Sequence, residues 1–144
     1  MKLLLTTTTA MLLAAACNVL LPGQCRTTDA PAKHCAPPTA LAGTALTLQV
    51  QHGCLGCGVS EFACAAKVDG NRVDLHATQE ECGQAPGTAC PAICEIRNAP
   101  CNVPALAEGD YVVTVNGGDA LNMAVRSSGE VSCNVDGFSV DGGR

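Results

Sequence analysis

Residues Leu106-Ala107-Glu108-Gly109-Asp110-Tyr111-Val112-Val113-Thr114-Val115 change character at Tyr111 and then run with period two. Tyr111, Val113 and Val115 fall on one face, and Val112, Thr114 and Asn116 on the other. β-Branched residues in alternation are the signature of a strand with one buried face. Asn116-Gly117-Gly118-Asp119 then supplies the residues a tight hairpin requires, and Leu121, Met123 and Val125 return on the far side. Further upstream, Leu46, Leu48 and Val50 alternate with Thr47, Gln49 and Gln51. Phe62, Cys64, Ala66 and Val68 share a face, with Glu61 and Lys67 opposite. Asp69-Gly70-Asn71 turns that run into Val73, Leu75 and Ala77. Shorter alternations at Cys94–Arg97 and at Val131, Cys133 and Val135 predict two more strands. No stretch repeats at helical spacing, so the expected class is all-β.

Composition narrows the function classes. The 144 residues allow one domain of ordinary size, and the formal net charge of −5 removes the attraction on which nucleic-acid binding rests. Three aromatic residues (Phe62, Tyr111 and Phe138) and no tryptophan leave no stacking platform for bases or sugars. No nucleic-acid partner is expected. A core so poor in rings needs other bracing, and the eleven cysteines point to where it comes from.

The segment opening at Leu106 resembles the L-x-x-G-x-Y-x-V-x-V entry into the penultimate strand of immunoglobulin-like and fibronectin-like domains. That resemblance implies a β-sandwich in which Tyr111 forms a corner, its hydroxyl bonded to backbone near Leu106, with Gly109 as its structural companion. The buried tryptophan and the evident two-cysteine intersheet pair of antibody domains are missing, so antibody-type membership is not implied. The arrangement is also similar to small Cys-rich lipoproteins of unknown function whose domain ends in the same Gly-x-Tyr strand.

The N-terminus specifies a destination. Met1-Lys2 is a short positive region, and Leu3–Ala16 carries no charge but is too short to span a bilayer, as a signal peptide requires. Ala14-Ala15-Ala16-Cys17 resembles the lipobox of bacterial lipoproteins, in which the cysteine is acylated and becomes the first mature residue. Asn18 is not the aspartate that retains such proteins at the inner membrane, so the resemblance implies the outer membrane. Without acylation at Cys17 the chain would be secreted. Parity agrees: eleven cysteines is odd, and setting Cys17 aside leaves an even number to pair. The expected organisation is a signal peptide over 1–16, a proline-rich lipid-anchored tether over 17–40 and a Cys-rich domain over 41–144, the bilayer being the partner through acylated Cys17. His34, within the tether, is expected to be solvated.

The remaining cysteines are Cys25, Cys35, Cys54, Cys57, Cys64, Cys82, Cys90, Cys94, Cys101 and Cys133. In an exported chain these are expected to form five structural disulfides, with Cys25–Cys35 and Cys82–Cys90 as local pairs. Connectivity does not follow from spacing. Two sharper readings compete. His52, Cys54 and Cys57, with Cys90-x-x-x-Cys94 as a second half, carry zinc-ligand chemistry. Cys54-Leu55-Gly56-Cys57 has the spacing of a redox pair, although its glycines deny it the helix N-terminus that activates such thiols.

A search for catalytic constellations finds no G-x-S-x-G, no H-E-x-x-H and no phosphate-cradling glycine loop. Asp69-x-Asn71-x-x-Asp74 lacks the spacing and closing glutamate of a calcium loop and reads as a hairpin. No cofactor and no catalytic residue are assigned. The expected function is a non-enzymatic, lipid-anchored envelope protein with a structural or protein-binding role, the alternatives being a protease inhibitor and a Cys-based redox or zinc protein.

Overall fold

The computed structural model describes residues 20–30, 32–53, 56–90 and 96–133. Among them there is no helix, and nine strands follow in order: β1 (Cys25–Asp29), β2 (Ala32–His34), β3 (Thr39–Leu41), β4 (Leu46–His52), β5 (Val59–Asp69), β6 (Arg72–Cys82), β7 (Arg97–Val103), β8 (Gly109–Val115) and β9 (Ala120–Arg126). They form two sheets. The larger is mixed: β5 lies along one edge of β6, β1 and β8 share the other edge, and β9 and β3 follow β8. The smaller is antiparallel, in the order β2-β4-β7.

The alternation expected of the strands is what places the core. Leu46, Leu48 and Val50 of β4 face Val73, Leu75 and Ala77 of β6, Tyr111, Val113 and Val115 of β8, and Met123 and Val125 of β9, in one buried cluster. Burying each such aliphatic side chain contributes roughly 1.5–3 kcal/mol. Leu121, the first residue of the expected inward set on β9, remains exposed at the end of its hairpin. Both hairpin turns take the conformations their residues favour. Asn116 and Gly117 have φ of 46° and 71°, and the Gly118 amide donates to the Val115 carbonyl at 2.8 Å, as a type I′ turn requires. Gly70 likewise has φ of 58° between β5 and β6.

Two expected strands are redrawn. The short run at Cys94–Arg97 lies partly outside the described residues; Ile96 is in no strand, and from Arg97 a seven-residue β7 buries Ala99, Cys101 and Val103. Pro100 sits inside it, which is tolerated because β7 is the outer strand of its sheet. Val131 and Cys133 add no strand among the described residues; Glu130 and Ser132 make single bridges to Ala40 and Thr47, and Val135 lies outside the described residues. β5 holds an irregularity at Glu61, whose φ is 44° and which has no register partner. The extra residue resets the strand so that Phe62 turns inward.

The largest correction concerns the tether. Where a free linker is expected, Cys25–Asp29, Ala32–His34 and Thr39–Leu41 are three strands of the fold. β1 pairs with β6, β2 with β4, and β3 runs parallel to β9, so the chain passes from one sheet to the other between β2 and β3. Pro37, at that crossing, is fully buried. Proline content suggested a spacer, yet the segment's backbone groups find partners that only the folded sheets provide.

Candidate functional site

Eight of the ten framework cysteines lie among the described residues, and all are bonded: Cys25–Cys82, Cys35–Cys133, Cys57–Cys90 and Cys64–Cys101. The expected local pairs Cys25–Cys35 and Cys82–Cys90 do not form. Cys25 instead stands in register opposite Cys82 across β1 and β6, because residue 25 belongs to a strand and not to a loop. Cys64–Cys101 ties β5 of the large sheet to β7 of the small one. Cys35–Cys133 joins the end of β2 to the segment that bridges β4. Cys17, Cys54 and Cys94 lie outside the described residues.

These bonds dispose of two sequence readings as far as Cys57 and Cys90 carry them. Cys57 is joined to Cys90, not to Cys54, so neither sulfur is a thiolate free to bind zinc or to serve a C-x-x-C redox couple. His52, their suggested companion, is 1 % exposed and packs at a tilt against Phe62, with ring centroids 4.2 Å apart. Cys25, Cys82 and Glu80 also stand close together, but the two sulfurs are spent on each other.

The histidines occupy three different environments. His34, expected in solvent, is buried, and its Nε2–H donates to the Val113 carbonyl at 3.1 Å, linking β2 to β8 across the sheets. It borders a cleft of about 280 Å³ with Ala32, Lys33, Val115, Asp119 and Leu121. Burial lowers its pKa more than the Val113 bond and the nearby Asp119 carboxylate raise it. His52 finds no hydrogen-bond partner among the described residues for either ring nitrogen, and burial alone lowers its pKa. His76 is exposed, with Nε2 at 3.8 Å from Asp29. None of the three meets a hydroxyl or thiol that it could activate among the described residues.

Tyr111 buries its ring and donates its hydroxyl to the Ala107 carbonyl at 3.1 Å, four residues upstream. A groove of about 380 Å³ runs beside it, lined in part by Asn71, Asp110 and Asn122. Asp110 in turn accepts from the Arg126 guanidinium, which also donates to the Gly109 carbonyl. The neighbouring Asp74 carboxylate accepts from Thr114 Oγ1 at 2.6 Å and from Arg72, which together hold its pKa below the usual range.

The residue that sequence reasoning missed is Asn116. Beyond starting its turn, its side chain fills the gap on the edge of β6 between the end of β8 and the end of β1. Its Oδ1 accepts from the Ala77 amide at 2.9 Å, and its Nδ2 donates to the Ala30 and Ala77 carbonyls at 2.9 and 2.8 Å. A side-chain amide thereby does the work of one peptide unit where a parallel partner hands over to an antiparallel one. Only its turn signal was legible in advance.

No family model, no curated protein and no solved structure matches this chain.

Proposed function

We propose that the chain is an exported, lipid-anchored envelope protein whose disulfide-braced domain has a structural or protein-binding role without catalysis. The observation that carries this reading is cysteine usage. Every framework cysteine among the described residues is oxidised, which fits an oxidising compartment. Cys54 and Cys94 then remain to pair with each other, and Cys17, beside the lipobox-like Ala14-Ala15-Ala16, is the one left over. Two or three acyl chains there anchor stably, where one would hold only marginally.

The domain itself reads as an immunoglobulin-like sandwich. Supporting this are the Tyr111 corner bond, the β2-β4-β7 order, which corresponds to strands A, B and E, and the β8–β9 hairpin, which corresponds to F and G. The parallel pairing of β6 with β8 is this chain's own departure from that plan. Such a scaffold presents loops rigidly, which suits binding.

The test is a Cys17→Ser variant. It should leave the membrane fraction for the soluble one and lose labelling by a clickable palmitate, while the wild type keeps both. The mature protein should weigh ten hydrogens less before reduction than after it, with no free thiol in denaturant. Membrane retention of an unlabelled wild type would overturn the anchor, and a pair of free thiols would restore the metal or redox alternative.

A further inference from the structure

Two of the three histidines lie on the inner face of the small sheet. His34 stands opposite Val50 and His52 opposite Ala32 in the β2–β4 register, so the two are diagonal neighbours. His34 reaches the large sheet through the Val113 carbonyl, and His52 through a tilted contact with the Phe62 ring on β5. Neither has a carboxylate in direct contact among the described residues. Around His34 the charged groups are Lys33 on its own strand and Asp119 from the turn after β8, while β4 between Leu46 and Gln51 brings none. Around His52 they are Arg97, its register partner on β7, Lys33 next to Ala32 on β2, and Glu61 beside Phe62 on β5.

We propose that this pair makes the small sheet an acid-sensitive latch, in which protonation of His34 and His52 loosens β2-β4-β7 from the larger sheet. A proton added to His52 charges a buried ring for which no acceptor stands ready among the described residues. A proton added to His34 keeps the Val113 bond but charges a ring already withdrawn from water. The direction follows from linkage. Burial depresses both folded-state pKa values below the ordinary 6.5. The stability is therefore fully present above pH 6.5 and declines as pH falls from there toward the folded values. Each histidine raises the unfolded-to-folded ratio by up to about tenfold per pH unit in that window. The disulfides keep the loosened chain compact, so the change is reversible.

Urea unfolding of the oxidised full chain between pH 7.5 and 5.0 tests this, with wild type, His34→Gln, His52→Gln and His76→Gln compared. The wild-type unfolding constant should rise about tenfold or more from pH 6.5 to 5.5. His52→Gln and His34→Gln should each flatten that rise, and exposed His76→Gln should leave it unchanged. Should either buried-site variant fail to fold, imidazole NMR of the wild type decides instead. The His34 and His52 rings should then stay neutral until the sheet opens. A flat stability profile, or His34 and His52 rings that take up protons while the sheets stay together, would overturn the proposal.

Discussion

The two sheets use their polar side chains differently, although among the described residues each buries an unpartnered group, Thr28 Oγ1 in the large sheet and the His52 ring in the small one. In the large sheet, Asn116 satisfies three backbone groups at the junction of β1 and β8, and Asp74 is matched to Thr114 and Arg72. In the small sheet, His52 is among the most deeply buried polar residues described, and its ring nitrogens have no partner among the described residues. A satisfied polar group fixes register because misalignment strands it; an unsatisfied one only costs stability. The large sheet thus has side-chain bonds at its strand junctions, whereas the small one is held to it by aliphatic packing, the His34–Val113 bond, Cys64–Cys101 and Cys35–Cys133.

Removing that second kind of support should have the largest effect. The double variant Cys64→Ala/Cys101→Ala should lose about 2–5 kcal/mol in urea unfolding. Cys25→Ala/Cys82→Ala should lose less, since β1 is mostly exposed and lies within one sheet. Equal losses would mean that the small sheet has no special dependence on its cross-link. Asn116→Ala comes next, at about 3 kcal/mol, from backbone groups left unpaired and a positive φ that alanine resists. Asn116→Gly keeps the turn conformation and should recover about 1 kcal/mol of that loss; if glycine recovers all of it, the side-chain bonds contribute nothing.

On the small sheet the sign should reverse. His52→Leu replaces an unsatisfied ring with an apolar side chain of similar size and should gain about 1 kcal/mol at pH 7. A loss there would show that contact with Phe62 outweighs the orphaned nitrogens. The smallest effect is expected from Tyr111→Phe, about 1 kcal/mol or less, because the Ala107 carbonyl it releases is near solvent. An unchanged melting temperature would show that the hydroxyl exchanges its bond for water without cost.

How much of this was legible depended on how local the cause was. Leu46, Leu48 and Val50, and likewise Val73, Leu75 and Ala77, announce their buried face by alternation, which is a property of the strand itself. Tyr111 was legible because its partner lies only four residues away. β7 was hidden by Pro100, since a proline speaks against a strand unless the strand lies at an edge, and edges are assigned by the fold. His34 was misplaced for the same reason: nothing within a few residues signals that β8 will supply it with a carbonyl.

The sequence by itself determined the all-β class, both hairpin turns, the inward faces of the long strands and the need for disulfide bracing in a chain with few rings. Tertiary structure alone decided which cysteines meet, that β1, β2 and β3 join the sheets, and that Asn116 closes the junction on β6. The division has one physical reason. Alternation and turn chemistry act between residues a few positions apart, whereas a disulfide such as Cys35–Cys133, 98 residues in separation, exists only after distant strands have been brought together.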